Sequence, residues 1–319
     1  MGRSPRLVPL LAAFALLLAA CADGGPGPAA GGGSRTPSGS ASSSFPVTLH
    51  DAAGEVTIPA RPVRIVSLSP TATEMLFAIG AGDQVVAVDD QSNYPRDAPT
   101  TKLSGYEPNA ESIASYDPDL VVYANDLGDV RPALHDLGIP ALLEPAAANL
   151  RDVYDQIEQL GAVTGNASGA RRLVSSMRSQ ITAIVAGVPT PAHPLTYYHE
   201  LDDTYYSVTS STFIGKLYSL LGLRNIADAA DRGGSGYPQL SPEYIVSANP
   251  DLIFLADTKC CGQSRATVAR RPGWGGIAAV RNGNVIPLDD DVASRWGPRI
   301  VDFLKAIARA VTGAEDQAA

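Results

Sequence analysis

A twelve-residue stretch occurs twice in this chain, and it constrains the fold more than any other feature. Glu111-Ser-Ile-Ala-Ser-Tyr-Asp-Pro-Asp-Leu-Val-Val122 matches Glu243-Tyr-Ile-Val-Ser-Ala-Asn-Pro-Asp-Leu-Ile-Phe254, with six of twelve positions identical. Each copy reads as a short helix, a turn through Pro-Asp and a buried strand. A weaker match pairs Ser69–Gly80 with Ser211–Gly222. Helix-turn-strand units of this kind recur singly in many α/β chains. Two matches in the same order in both halves imply two lobes of one βα design.

The rest of the body fits that plan. Arg64–Leu68, Val85–Val88, Leu120–Tyr123, Ala141–Leu143 and Leu252–Ala256 read as short apolar strands. Ser69-Pro70 has the residues of a helix start, and Gly80 supplies a stop. Strands alternating with helices imply parallel sheets covered on both faces. Between the halves, Ala170, Leu173, Val174, Met177, Ile181, Ile184 and Val185 keep helical spacing. A helix over Ser168–Ala186 would be about 28 Å long. It is suited to join two lobes as a strut, and equally to pack as one more helix on a single sheet.

The first 44 residues belong to a different regime. Arg3 and Arg6 precede an apolar run, Leu7–Ala20, that has the length of a signal-peptide core and is too short to span a bilayer. It ends in Leu-Ala-Ala-Cys21, small residues followed by a thiol, as a lipoprotein processing site requires. The expectation is a signal peptide over 1–20, a lipid anchor at Cys21, and a flexible Gly/Ser/Pro tether over 21–44. Such a tether reaches roughly 25 Å. No later stretch approaches about 18 consecutive apolar residues. The body then divides into an N-terminal lobe over 45–165, a connecting helix over 166–188 and a C-terminal lobe over 189–319.

Charge and cysteine usage exclude several classes. Arg3 and Arg6 leave with the leader, so 24 basic residues fall to 22 against 33 acidic ones, a net charge of −11. That argues against nucleic acid and against direct binding to anionic lipid. His50, His135, His193 and His199 show no ligand spacing, so no metal site is expected. Cys260 and Cys261 are the spare thiols of an exported chain and are expected to form a vicinal disulfide. A hydrolase would want a Gly-x-Ser-x-Gly elbow; Gly233-Gly-Ser-Gly236 fails it. With no phosphate loop either, an enzyme on this scaffold is the competing class and not the expected one.

Five stretches together carry a family resemblance: Ile65–Glu74, Ser92–Pro95, Glu111–Val122, Tyr237–Glu243 and Ser294–Ile300. In order and spacing the chain resembles the class III substrate-binding proteins of ABC importers, which serve cobalamin, iron-siderophores and heme. The resemblance implies an α/β fold of two Rossmann-like lobes with parallel sheets, joined by one long rigid helix, with ligand held between the lobes. It implies a permease dimer and a small-molecule ligand as partners, membrane attachment through Cys21, and a place on the outer face of the cytoplasmic membrane. No catalysis and no resident cofactor are implied.

Ligand pockets gather where parallel strands end. The loops there hold Tyr94, Tyr106, Tyr205, Tyr206, Tyr237, Asp291, Arg295 and Trp296 as candidate ligand contacts. By resemblance to the cobalamin-binding member, Tyr94 and Tyr237 match aromatic contact positions, and Asp291 with Arg295 a polar pair near ligand. Each tyrosine is also suited to packing, and Arg295 to a salt bridge with Asp289, Asp290 or Asp291. Acids mixed with Arg265 and Arg295 favour a large, nearly neutral ligand, a corrinoid, over an anionic ferric catecholate; a hydroxamate siderophore fits the same description. Heme would want an axial Tyr or His, and Tyr197, Tyr198 and His199 are the candidates. Glu111 and Glu243 match the family's permease-docking glutamates, one per lobe.

Overall fold

The computed structural model describes residues 45–191 and 193–318. The expected signal peptide, Cys21 and the tether lie outside the described residues. The body opens with an antiparallel hairpin, β1 (Val47–Asp51) and β2 (Gly54–Ile58), which the sequence reading did not contain. Then follow β3 (Ile65–Leu68), α1 (Pro70–Ala78), β4 (Val85–Val88), α2 (Ala110–Ala114), β5 (Leu120–Tyr123), α3 (Val130–Asp136), β6 (Ala141–Leu143) and α4 (Leu150–Val163). The four strands β3–β6 form a parallel sheet in the order β4-β3-β5-β6. After α5 (Ala167–Gly187) the second half runs β7 (Thr196–Glu200), α6 (Phe213–Ser219), β8 (Arg224–Asn225), α7 (Pro242–Ala248) and β9 (Leu252–Leu255). It closes with α8 (Arg265–Ala269), α9 (Ala278–Arg281), β10 (Val285–Pro287), α10 (Asp290–Ser294) and α11 (Ile300–Ala318). Its sheet is parallel in the order β10-β9-β7-β8.

The two sheets are the same design. β5 lies between β3 and β6 as β9 lies between β7 and β10, and the repeated sequence supplies α2–β5 in one lobe and α7–β9 in the other. The aspartate that follows the repeat's proline explains part of its persistence. Asp119 accepts from the amides of Val63 and Arg64, and Asp251 from the amide and hydroxyl of Thr196. Each carboxylate satisfies backbone donors where the neighbouring strand begins. Arg64, read as strand, instead turns its guanidinium to the carbonyls of Tyr116 and Asp117, and β3 starts one residue later.

The helix α1 starts as the sequence implies: Ser69 Oγ accepts from the amide of Ala72, and Gly80 ends it at φ +88°. The connecting helix α5 is packed on both sides, against α4 and α1 of the first lobe and α11 of the second. One apolar core runs through it, from Ile157 and Leu160 on α4, through Val174, Met177 and Ile181, to Phe303, Leu304 and Ile307 on α11. Backbone approach is close: a Cβ on Gly169 would lie 2.0 Å from the Ile79 carbonyl oxygen. The lobes therefore share a core instead of hanging from a free hinge, and the remaining apolar clusters cover the outer face of each sheet.

Candidate functional site

The C-terminal ends of both sheets face one another, and the loops leaving them enclose a cavity of about 250 Å³. The first lobe contributes Ser69, Asp89, Gly105, Tyr106 and Asn125; the second contributes Asp291, Arg295 and Trp296. Four of the eight expected ligand residues thus meet in one place. Gly105 fits because any Cβ there would lie 2.7 Å from the Leu68 carbonyl oxygen. Tyr106 next to it is 68% exposed.

Asp291 and Arg295 do form the salt bridge their spacing allows, at 2.8 Å, but the guanidinium does more. It crosses between the lobes to Glu74 Oε1 at 2.9 Å, Asn93 Oδ1 at 3.0 Å and the Gln91 carbonyl at 3.0 Å. Arg299 joins it on Glu74, with Nε donating to Oε2 at 2.9 Å. Asp291 accepts in turn from Lys259 Nζ at 2.7 Å and Asn93 Nδ2 at 3.1 Å. Burial alone would push its carboxyl up; the Lys259 hydrogen bond, the Arg295 charge and Asn93 together hold it below the ordinary range. Trp296 closes the same seam by donating from Nε1 to Gln156 Oε1 on α4. At the cavity wall Asp89 is buried, bonded to Ser92, and raised by desolvation.

The tyrosines divide. Tyr206 and Tyr237 present half-exposed rings on the loops after β7 and β8. Tyr94 is also half-exposed but sits one groove away, with Arg299 4.3 Å above its ring and Glu74, Phe77 and Pro298 alongside. Tyr205 takes a left-handed backbone (φ 69°) and packs its ring on Trp274, 5.9 Å between centroids, beneath Arg271. Two readings need correction. Tyr197, Tyr198 and His199 are fully buried on β7, so none can reach a ligand axially in the cleft; His199 Nδ1 meets the Tyr218 hydroxyl at 2.8 Å, and burial drives its pKa down to about 3. Arg265 is drawn to the Val285 carbonyl at the start of β10, the end of the sheet opposite the cleft.

Cys260 and Cys261 are joined in a disulfide on the loop after β9. That loop is clasped by Asp290, whose carboxylate accepts from the amides of Thr258, Lys259 and Cys260. Beneath it Asp257 is buried beside Glu200. Desolvation first, then the Glu200 charge, push its pKa up to about 8, while Arg271 pairs with Glu200 at 2.6 Å.

A model of the family described as periplasmic binding protein matches residues 65–292. This chain belongs to the periplasmic binding protein family. A substrate-binding lipoprotein of an ABC transporter from Bacillus subtilis, YvrC, is 33% identical over 277 residues, covering 84% of this chain and 86% of its own. A cobalamin-binding protein of Halobacterium salinarum is also 33% identical, covering 84% and 74%. Among solved structures, the vitamin B12-binding protein of Vibrio cholerae superposes with a TM-score of 0.66 at 25% identity, over 81% of this chain and all of that one.

Members of this family bind small molecules and work with permease and ATPase components. Glu111 and Glu243 are placed alike. Glu111 lies in the first turn of α2, capped by Asn109, and Glu243 in the first turn of α7, capped by Ser241; both are exposed. Glu74, Asn93, Lys259 and Arg299 were not singled out in the sequence. The available hint was Glu74 itself, an acid on the apolar face of a helix. Among the described residues no helix is long and apolar enough to cross a membrane.

Proposed function

We propose that this chain is the lipid-anchored, extracytoplasmic binding protein of an ABC importer and that it carries a corrinoid between its lobes. The observation that carries the ligand reading is the charge balance of the cleft. Asp291, Lys259, Arg295, Glu74 and Arg299 are spent on one another. What remains for a ligand is mostly exposed aromatic surface, Tyr106, Tyr206 and Tyr237. Such a surface suits a large ligand of low net charge with apolar faces and amide edges. The cobalamin-binding relative at 33% identity supports the same choice. The 250 Å³ cavity would hold a peripheral group, with the bulk of the ligand across the rim. A neutral ferric hydroxamate is the second reading on the same charge argument.

Titration calorimetry of the purified protein with cyanocobalamin, a ferric hydroxamate and hemin tests this. Saturable one-to-one heat with cyanocobalamin is expected. Tight binding of the hydroxamate with no heat from cyanocobalamin would replace the corrinoid with the siderophore.

A further inference from the structure

The loop bearing the disulfide is held more tightly than an exposed loop needs to be, and its bonds lead into the seam between the lobes. The amides of Thr258, Lys259 and Cys260 all point at Asp290, at 2.9, 2.8 and 3.0 Å, and the Thr258 hydroxyl joins them at 2.7 Å. Three successive amides converging on one carboxylate require a curled backbone. The Cys260–Cys261 ring fixes the far end of that curl. Lys259, inside it, pairs with Asp289 at 2.9 Å and Asp291 at 2.7 Å. Asp291 holds Arg295 and Asn93, and Arg295 holds Glu74 and the Gln91 carbonyl in the other lobe. An unbroken chain of bonds therefore runs from the disulfide to the first lobe.

We propose that Cys260–Cys261 is a thiol–disulfide exchange site whose redox state sets how firmly the two lobes are held together at the cleft. The reductant is a dithiol, free or on another extracytoplasmic protein. Its thiolate attacks Cys260 Sγ, on the more exposed of the two residues, and the Cys260–Cys261 bond breaks with Cys261 leaving as thiolate. The second thiol of the donor then resolves the mixed disulfide. Two electrons and two protons reach this chain, and the donor ends as a disulfide. With the ring open, the backbone between Cys260 and Cys261 is free to uncurl, Lys259 loses its fixed origin, and its grip on Asp291 weakens. Lys259 is a positioning residue here, acting on the lobes through Asp291 and Arg295.

The test uses the ligand-free protein, so it stands apart from the corrinoid reading. Hydrogen exchange is followed by mass spectrometry in the oxidised protein, after dithiothreitol, and after reoxidation. Peptides covering Gln91–Asn93 and Asp291–Arg299 should exchange roughly two- to fivefold faster on reduction, the scale of losing one or two half-exposed ion pairs. They should recover on reoxidation, while β5 and β6 stay unchanged. Lys259→Ala should give the fast pattern with the disulfide intact and abolish its response to reduction. Exchange at Gln91–Asn93 that is the same in both redox states would overturn the proposal. So would a thiol pair that alkylates fully in the native protein and cannot be oxidised.

Discussion

Glu74 on α1 of the first lobe receives Arg295 of the second at 2.9 Å and Arg299 at 2.5 Å, and its carboxylate is almost wholly buried. A single acid thus neutralises two guanidinium groups that belong to the other lobe. Removing one member of a buried ion cluster strands the others, a cost of about 3–5 kcal/mol. Glu74→Ala should lower the free energy of unfolding by about that amount in chemical denaturation. A loss below about 1 kcal/mol would mean that water already screens the cluster.

The close approach of α5 to α1 gives a second test, independent of charge. A Cβ on Gly169 would meet the Ile79 carbonyl, which is main chain and cannot rotate away. Gly169→Ala should destabilise the protein by about 1–3 kcal/mol despite the better helix propensity of alanine. Gly187, at the far end of the same helix, has open space around it, and Gly187→Ala should be neutral or slightly stabilising. Thermal melts of the two variants should move in opposite directions or differ clearly in size.

The architecture was legible because its signals are local. β4, β5 and β6 have the bounds the apolar runs suggested, and the repeat gave each lobe the same strand order. The hairpin β1–β2 was missed although Val47 and Leu49, and Val56 and Ile58, alternate with polar residues: each strand is only five residues long and half of the residues face water. The pairing of Glu74 with Arg295 and Arg299 was missed for a different reason: the two arginines lie 221 and 225 residues from Glu74 along the chain. No spacing rule reaches that far. Tyr205 and Tyr206 show a further limit. They are adjacent and chemically identical, yet the left-handed backbone at Tyr205 sends one ring into the lobe and leaves the other half in water.

Two buried groups should shape stability against pH in opposite senses. His199 titrates at about 3 in the fold against 6.5 when unfolded, so the unfolded chain binds the extra proton between those values. Stability is therefore lost as pH falls from about 6.5 toward 3. Asp257 titrates at about 8 against 3.8, so in that window the folded protein keeps a proton that the unfolded chain has released. Stability is lost as pH rises from about 4 to 8. Asp257→Asn keeps the shape of the protonated acid. Its stability relative to the parent should grow steadily between pH 5 and pH 8 in urea titrations; a constant difference would contradict the assignment.

Tyr237 tests the ligand surface. Its ring is 49% exposed in a loop whose backbone is pinned by Asp231 through the amides of Ser235 and Gly236. A ring held out on a fixed loop is suited to stack on a flat ligand. Tyr237→Ala should weaken binding of the ligand identified by calorimetry by about 1–3 kcal/mol, and Tyr237→Phe should weaken it far less. Tyr205→Phe, with its ring packed on Trp274, should leave affinity unchanged. Equal losses in Tyr237→Ala and Tyr237→Phe would point to the hydroxyl instead of the ring.

Each copy of the repeat begins with an exposed glutamate in the first turn of its helix, Glu111 on α2 and Glu243 on α7. An acid there is favoured by the helix dipole, by about 0.3–1 kcal/mol. That accounts for either residue alone. It does not account for two exposed acids kept at equivalent points of two lobes with the same strand order. Paired acids on a repeated body suit a partner with two equivalent basic sites, as a permease dimer would offer. Exposed ion pairs add little affinity, but complementary charge fixes orientation and speeds encounter. Reversing Glu111 or Glu243 to arginine should leave ligand affinity of the isolated protein as it is, and uptake by cells should fall sharply. The double reversal should be rescued in part by acids introduced at the facing permease positions. Normal uptake by the double variant, or lost ligand binding in either single variant, would remove these residues from the docking surface.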